Sequence, residues 1–317
     1  MNSPQITDRI VAPILVSVVI PTKGRSGIVP RAVKSALGQS LRNLEVIVVL
    51  DGEDPDTIAA LRPLTDSRLR IVSLPKPVGG AEARNIGIQS AQGHWIALLD
   101  DDDEWFPQKL ERQIARANLA TVQFPVVCSA YIARSAERDS PFGRRAPLPG
   151  EPVSEYMFCR RSFRYGENAL ATSVLLVPRA LMISVPFDPN LRRHQDWDWA
   201  LRALNAAGTG LYYIPEQLSI YYMADGVARL SGQDVWKESL AWCRDRKVLL
   251  TPKAMSFFIA TECITRARQA DANWKDICSL LIAFWREGQP TFRSTLLALG
   301  YLIASKRLRR LLLRWRS

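Results

Sequence analysis

The sequence predicts an α/β protein in which a mostly parallel central sheet is flanked by helices and followed by a helical C-terminal region. Three observations support this fold class. Apolar, β-branched segments alternate with helical patterns over roughly the first 120 residues, which is typical of βα units in a parallel sheet. Carboxylates follow two of the apolar segments directly. The pattern beyond residue 230 is helical.

Four apolar segments in the first half indicate strands that are buried on both faces, because continuous apolar runs are typical of parallel sheets. These strands are predicted at 14–21, 44–50, 70–74 and 94–100. Helices are predicted at 29–40, 54–64 and 81–91, and Pro107 opens another. Ligands bind beyond the carboxyl ends of the strands in such sheets, so the residues there are the candidates for a functional site.

The second half is predicted to be mixed and then helical. Strands are expected at 126–134 and 173–178, a loop-like stretch at 135–168, a helix at 196–208, and two short strands within 211–223 around Pro215 and Glu216. Further helices are expected at 234–250, 252–271, 274–287 and 291–315. We therefore predict a catalytic domain at 1–228 and a helical region at 229–317.

Composition and charge narrow the function classes. The chain has 317 residues, of which 47% are apolar and 23% charged, and this composition excludes a mostly disordered protein. The net charge is +11, and residues 301–317 contain six lysines and arginines and no acid. Such an excess of positive charge predicts a polyanionic partner: phosphates, nucleic acid or anionic lipid.

Cysteine and histidine counts limit the metal chemistry. The five cysteines form no CxxC pair, which argues against a disulfide framework or a zinc knuckle. With only two histidines, any metal is expected to be a hard cation held by oxygen. We found no signal peptide pattern and no apolar run near the ~20 residues of a spanning helix. These observations predict a cytoplasmic protein.

A run of four aspartates follows the fourth predicted strand. Adjacent carboxylates about 4 Å apart repel by roughly 1 kcal/mol in water, so the run Asp100–Asp103 predicts a compensating cation. Asp100 and Asp102 point the same way on an extended segment and could together hold Mg²⁺ or Mn²⁺. A solvated acidic loop that caps the next helix is the alternative.

Asp51 and Lys23 follow predicted strands, and Arg84 lies in the helix predicted at 81–91. Asp51 could accept a hydrogen bond from a nucleobase N–H, or it could belong to a simple Asp-Gly turn. Lys23 and Arg84 could meet diphosphate oxygens, or either could be an exposed charge.

A third acidic feature opens the helix near residue 196. A helix start favours the ionised form of Asp196, so this carboxylate could act as a base toward a sugar hydroxyl. Trp197 and Trp199 would then offer an aromatic face for the sugar ring. The competing interpretation is a capping aspartate followed by two core tryptophans.

Taken together, these segments resemble the family 2 glycosyltransferases, and the resemblance covers roughly residues 15–225. The segments that carry it are VSVVIPTKGR (16–25), VIVVLDG (46–52), GGAEARNIGIQSAQGHWIALLDDDDEW (79–105), PQKLERQ (107–113) and HQDWDWALR (194–202). The resemblance implies the Rossmann-like GT-A fold. It also implies inverting transfer of a sugar from a nucleotide-diphosphate sugar, with a UDP-sugar favoured. The implied acceptor is a glycan or a lipid-linked hydroxyl in cell-envelope polysaccharide synthesis.

The resemblance also implies roles for particular residues. The implied donor-binding residues are Pro21, Thr22, Lys23, Arg25, Asp51, Arg84, Asp100 and Asp101, of which Pro21, Thr22 and Asp51 line the nucleoside pocket. Asp100-Asp101-Asp102 matches the DxD motif, so Asp102 and Asp100 are expected to bind Mn²⁺ or Mg²⁺. Asp196 aligns with the catalytic base, and Gln195 stands where the family has Glu. Trp105, Trp197 and Trp199 are the expected acceptor-binding residues.

The last predicted helix is basic and amphipathic. Its apolar face comprises Leu308, Leu311, Leu312 and Trp315, and its basic face comprises Arg307, Arg310 and Arg314. Such a helix suits an anionic membrane surface, and the alternative is packing against the catalytic domain. The membrane hypothesis predicts a peripheral location on the inner face of the plasma membrane.

Other enzyme and binding classes fit less well. A membrane-embedded polysaccharide synthase needs spanning helices and a QxxRW motif, both absent from the sequence. A nucleotidyltransferase shares the acidic metal site but needs a basic glycine-rich loop after the first strand, of which TKGRSG is a faint version. A nucleic-acid-binding module fits the net charge but not the acidic strand ends, so no nucleic-acid partner is expected.

Overall fold

This computed structural model describes residues 14–162, 166–168, 170–223 and 235–303. The strands are β1 (Val16–Thr22), β2 (Leu44–Leu50), β3 (Leu69–Ser73), β4 (Trp95–Leu98), β5 (Glu104–Trp105), β6 (Phe124–Arg134), β7 (Asp139–Phe142), β8 (Leu176–Pro178) and β9 (Thr209–Tyr222). The helices are α1 (Val29–Leu37), α2 (Pro55–Leu61), α3 (Gly80–Ser90), α4 (Lys109–Ala117), α5 (Val153–Phe158), α6 (Arg179–Ser184), α7 (Gln195–Leu204), α8 (Val235–Asp245), α9 (Pro252–Phe258), α10 (Ile264–Gln269), α11 (Trp274–Arg286) and α12 (Phe292–Ile303).

One mixed sheet contains all nine of these strands, in the order β3-β2-β1-β4-β8-β6-β9-β5, with β7 beside β6. The first four strands are mutually parallel, whereas β8 is antiparallel to both β4 and β6. From β1, the sheet continues to β2 and β3 on one side and to β4 on the other. A crevice therefore opens between the carboxyl ends of β1 and β4, where α/β sheets of this kind bind ligands.

The sheet is buried on both faces, as its apolar strands predict. In β1, Val18 and Ile20 belong to one core cluster and Val19 to the other, because successive side chains of a strand point to opposite faces. Helix α3 approaches the second face closely: a Cβ atom at Gly87 would lie 2.5 Å from Val19 Cγ1 and 3.0 Å from Val49 Cγ2. Glycine at this position therefore sets the height of α3 above the sheet.

Most predicted elements are confirmed, with two informative differences. The loop-like stretch 135–168 contains β7 and α5, which have 4 and 6 residues and are too short to produce a periodic pattern. The two short strands predicted around Pro215 and Glu216 form one long strand, β9. The register jumps there, because Ser129 pairs with Ile214 and the next residue, Ala130, pairs with Gln217. Proline cannot donate to the ladder, and a bulge accommodates it.

The C-terminal helices pack on the sheet domain. One core cluster includes residues on both sides of the predicted boundary at 228, among them Trp199 and Phe258. The boundary itself remains a prediction, because residues 224–234 lie outside the described ranges. The predicted basic helix end at 304–315 also lies outside them. Among the described segments, no helix combines the length and apolar character needed to cross a membrane.

Candidate active site

The carboxyl end of β1 contacts the aspartate run directly. The Thr22 side chain is buried, and its hydroxyl donates to Asp101 Oδ2 at 2.6 Å. Pro21 is half-buried beside it, whereas Lys23 is exposed. Arg25 lies in the turn that follows, and its Nη1 donates to Asp101 Oδ1 and Asp102 Oδ2, both at 2.7 Å. The first strand and the acidic segment thus form one polar cluster.

The four aspartates occupy four different environments. The Asp101 side chain is largely buried, and this burial raises the pKa of its carboxyl. Asp103 is almost completely buried, accepts hydrogen bonds from Ser173 Oγ and the Tyr222 N–H, and has a pKa raised well above its usual value by burial. Asp102 has the most exposed side chain of the first three, at 35%. Asp101 and Asp103 therefore support the loop, while Asp100 and Asp102 are more open to a ligand.

Arg84 links the acidic segment to the helix that contains Asp196. Its Nη2 donates to Asp100 Oδ1 at 2.6 Å, and its Nη1 donates to Gln195 Oε1 at 3.1 Å. The Arg84 Nε is buried and has no hydrogen-bond partner among the described residues. Gln195, which replaces the family's Glu, thus accepts from this guanidinium and also donates from Nε2 to the Leu191 carbonyl.

Asp196 lies in the first turn of α7, facing this cluster. Burial raises the pKa of its carboxyl to about 6, and the negative charge of Asp100 raises it further. The Trp197 backbone N–H and the positive charge of Arg84 act in the opposite direction. Such a carboxyl is ionised at neutral pH yet basic enough to accept a proton in a reaction. This is the proton affinity that a general base requires.

Helix α7 is fixed by residues of α8 and α9. His194 is the N-cap residue of α7 and has a left-handed backbone conformation (φ 59°). Its ring stacks on Trp197, with the two ring centroids 4.8 Å apart. Trp242 of α8 and Phe258 of α9 contact the same pair of rings. Burial lowers the pKa of His194 to about 3, so this imidazole is neutral and belongs to an aromatic core rather than to the acid–base chemistry.

The carboxylate of Asp198 adds hydrogen bonds to the packing of α7 against α8. Its carboxylate is fully buried and accepts hydrogen bonds from Arg202 Nε at 2.7 Å, Arg246 Nε at 2.5 Å and Trp242 Nε1 at 3.3 Å. A buried carboxylate is tolerated only when it is paired and hydrogen-bonded. No local sequence pattern signals this pairing, because Arg246 is 48 residues away from Asp198.

Two of the three tryptophans predicted to bind acceptor are in the core, and this part of the prediction is wrong. Trp105 is buried and donates from its indole to the Ser173 carbonyl at 2.7 Å. Trp199 has no exposed surface, stacks on Phe187 and donates to the Val185 carbonyl. A ring without solvent access cannot stack on a sugar. Trp197 is half-buried, and His194 covers one of its faces.

Asp51 has a structural role in the loop before α3. Its Oδ1 accepts the Val78 N–H at 2.5 Å and the Gly79 N–H at 3.1 Å. The carboxylate thereby holds the loop that leads to the helix of Arg84. Oδ2 receives only a longer contact from Gly79, at 3.2 Å, so the group can accept a further hydrogen bond. Both interpretations of Asp51, structural and nucleobase-binding, are compatible with this geometry.

Three residues that contribute to the cluster were not predicted from the sequence: Ser173, Arg31 and Tyr222. Ser173 accepts from the Asp100 N–H and donates to Asp103. Arg31 donates to the Asp102 carbonyl at 2.6 Å, and its guanidinium lies over the Tyr222 ring at 3.7 Å. These residues come from separate elements, so only the tertiary fold brings them to the aspartates.

The donor set of this cluster suits a divalent cation. Arg84 contacts one oxygen of Asp100, and Arg25 contacts one oxygen of Asp102. In the part of the chain that the structure describes, no three His, Cys, Asp or Glu residues are arranged as a complete metal site. Mg²⁺ typically takes only one or two carboxylates and completes its coordination with phosphate oxygens and water. Asp100 and Asp102 therefore fit a cation that binds together with a nucleotide.

Comparisons with known proteins agree with this fold and site. The sequence model described as "Glycosyl transferase family 2" matches residues 17–170. Among curated proteins, the chain is 27% identical to the amylovoran biosynthesis glycosyltransferase AmsB of Erwinia amylovora over 243 residues, which cover 74% of this chain and 78% of AmsB. It is 35% identical to the Escherichia coli UDP-Glc:alpha-D-GlcNAc-diphosphoundecaprenol beta-1,3-glucosyltransferase WfaP over 100 residues, which cover 32% of this chain and 40% of WfaP.

A solved structure shares the overall fold at low sequence identity. The mannosyltransferase PcManGT of Pyrobaculum calidifontis, in complex with GDP-Man and Mn²⁺, superposes with a TM-score of 0.58 at 17% identity and covers 96% of this chain and 86% of its own. The parallel strands, the acidic segment at their carboxyl ends and the sequence matches all point to one family. Residues 17–170 form a family 2 glycosyltransferase domain, and the chain has the GT-A fold.

Proposed function

We propose that this enzyme transfers a sugar, with inversion, from a nucleotide-diphosphate sugar to a hydroxyl of a glycan or lipid-linked acceptor in cell-envelope polysaccharide synthesis. The observation that carries the proposal is the Arg84 contact, which joins Asp100 of the acidic segment to Gln195 beside Asp196. A donor-binding group and a base of raised proton affinity therefore face the same crevice. A UDP-sugar is the favoured donor, because the relative WfaP is named for UDP-Glc.

The donor would lie across the carboxyl ends of β1, β2 and β4. Asp51 would accept a nucleobase N–H through its less engaged oxygen, with Pro21 and Thr22 beside the nucleoside. The buried Nε of Arg84 lacks an acceptor among the described residues and would donate to a diphosphate oxygen. Arg25 and Lys23 would add positive charge at the rim, where exposed guanidinium and ammonium groups can approach phosphates.

Transfer would proceed as a direct displacement. Asp196 would take the proton of the acceptor hydroxyl as its oxygen bonds to the anomeric carbon, and the bond from that carbon to the diphosphate oxygen would break on the opposite face. The nucleoside diphosphate leaves with the bonding electron pair, and its developing charge is neutralised by Arg84. Asp102 and Asp100 would hold Mn²⁺ or Mg²⁺, which supplies further charge neutralisation to the diphosphate when bound.

The base is tested by Asp196→Asn, which keeps the shape of the side chain but removes its proton affinity. We expect kcat to fall by about 100-fold or more, while the affinity for UDP with Mn²⁺ changes little. The measurements are transfer from labelled UDP-sugars and calorimetric binding of UDP. Asp66→Asn, a half-buried carboxylate paired with Arg68 away from the site, serves as a matched control. Turnover of Asp196→Asn at the wild-type rate would remove this residue from the mechanism.

A further inference from the structure

Helices α11 and α12 expose apolar side chains along one face each. On α11, Trp274, Ile282 and Trp285 are 73%, 55% and 60% exposed. At 100° per residue these three positions fall within about 80° of the helix circumference. The opposite face, with Ile277 and Leu280, is buried in the core. Large aromatic side chains exposed to this degree mark a binding surface when they are contiguous.

The next helix repeats the arrangement. Phe292, Leu296, Leu299 and Ile303 of α12 are 80%, 39%, 46% and 79% exposed, and they fall within about 60° of the helix circumference. The chain thus places two consecutive helices with exposed apolar stripes, linked by a short segment at 287–291. Scattered exposed apolar residues are ordinary on protein surfaces, but regular exposed stripes on two consecutive helices are not.

The charges around these stripes are positive. Lys275 and Arg286 border the apolar stripe of α11, Arg293 borders that of α12, and all three are exposed. The only acid of the linking segment, Glu287, is paired with Arg244. An apolar stripe bordered by lysine and arginine, with tryptophan and phenylalanine on the apolar side, is the composition of a surface that lies in a lipid headgroup region.

We propose that the exposed apolar stripes of α11 and α12 dock on an anionic membrane surface. Trp274, Trp285 and Phe292 would enter the headgroup region, and the flanking cations of the two helices would contact anionic lipid. A second copy of the chain is a poorer occupant, because a symmetric contact would bring the same cations together, while the acid of α11, Asp276, lies on another side of that helix. This proposal rests on the proposed function and extends it, because docking would bring the active site to a lipid-linked acceptor.

Flotation of the full chain with vesicles tests the proposal. The vesicles are phosphatidylcholine alone or phosphatidylcholine with one-third phosphatidylglycerol, and the variant is Trp285→Ser, Phe292→Ser and Ile303→Ser combined. We expect wild-type protein to bind the anionic vesicles more strongly than the neutral ones. Binding of the triple variant should fall at least about tenfold. The matched control, Ile58→Ser, Leu119→Ser and Leu148→Ser combined, changes three exposed apolar residues of the catalytic half and should bind like wild type.

The outcomes separate this proposal from the proposed function. Thermal unfolding and sugar transfer to a water-soluble acceptor should be the same in the triple variant and in wild type. Vesicle binding that is lost in the variant supports the docking surface even if the wild type transfers no sugar. Equal flotation of the variant and wild type overturns the proposal. It is also overturned if sedimentation shows that the variant breaks a dimer while its vesicle binding is unchanged, because the face then belongs to a second copy.

Discussion

Asp196 is subject to opposing influences on its proton affinity. Burial and the charge of Asp100 raise its pKa to about 6, whereas the charge of Arg84 lowers it. A base acts only when ionised, so activity depends on the fraction of this carboxyl that has lost its proton. The raised pKa places that transition in an accessible pH range rather than near the usual value of a carboxyl.

We therefore predict an acidic limb in the pH dependence of kcat/KM. Below about pH 6 the rate constant should fall about tenfold per pH unit as Asp196 becomes protonated, and above it the profile should level. Arg84→Gln removes a positive charge, which favours the protonated form, so its limb should move to higher pH. The position of the limb, and not its height, is the measured quantity, because Arg84 is also proposed to bind the donor.

A distant arginine provides the control for this experiment. Arg112 is exposed and pairs with Glu216 on the surface, so Arg112→Gln should leave the limb where wild type has it. A profile that is flat from pH 5 to 8, or a limb that Arg84→Gln does not move, would contradict the assignment of the proton to Asp196.

The aromatic residues show what sequence patterns at this scale can and cannot predict. The motif HQDWDW placed Asp196 at a helix start, as the structure has it. The same motif could not distinguish Trp197 from Trp199, because exposure depends on which side of α7 meets the core. Trp199 faces Phe187 and the sheet domain, while Trp197 meets α8 and α9.

At the scale of elements, the orientation of α7 depends on the C-terminal helices. Arg246 of α8 donates to the buried Asp198 of α7 and also contacts Asp188. Asp196 lies two residues before Asp198 in the same turn, so a rotation of α7 would move the base. We therefore infer that Arg246 is a positioning residue that acts on the base through Asp198.

We predict that Arg246→Ala lowers both stability and turnover. The buried Asp198 would keep its contact with Arg202 but lose the guanidinium of Arg246. We expect the free energy of unfolding to fall by about 2 kcal/mol, which is less than for a carboxylate left wholly unpaired. In kinetics, kcat should fall several-fold while the KM for the donor stays close to wild type, because donor-binding groups are untouched. Arg246→Lys keeps the charge and should restore part of both properties.

The same helix offers a control for this prediction. Arg244 is exposed and pairs with Glu287, and exposed pairs contribute about 0.5 kcal/mol. Arg244→Ala should therefore change thermal unfolding slightly and kcat not at all. If Arg246→Ala lowers the unfolding temperature but kcat per folded molecule is unchanged, Arg246 is structural only.

For the whole molecule, the parallel strands were predictable because each is a continuous apolar run followed by a polar turn. The approach of α8 and α9 to α7 was not predictable, since it rests on contacts such as Trp197–Trp242 between residues 45 positions apart in sequence. For the same reason the sequence placed Asp100 and Asp196 at ligand-facing ends but could not show that Arg84 lies between them. Local patterns determined the elements here, and packing determined the site.

Nucleotide and metal binding should stabilise the whole molecule, because the acidic cluster joins the ends of β1 and β4 to α3 and α7. We expect UDP with Mn²⁺ to raise the unfolding temperature. The free energy of unfolding should increase by about 2.7 kcal/mol when the ligand is at 100 times its Kd. Removal of the metal with EDTA should abolish most of the increase. Asp102→Asn should do the same, since it removes the most accessible carboxylate of the proposed metal site.

The unfolding temperature is measured by differential scanning fluorimetry with UDP, GDP, dTDP and CMP, each with and without Mn²⁺. The nucleotide that raises it most identifies the nucleobase of the donor. Asp56→Asn, an exposed carboxylate on α2, is the control and should respond like wild type. Arg25 and Arg84 already neutralise part of the acidic charge, so some UDP binding should persist without metal. If the response to UDP is equal with and without Mn²⁺, the arginines alone hold the diphosphate and the metal assignment of Asp102 and Asp100 is wrong.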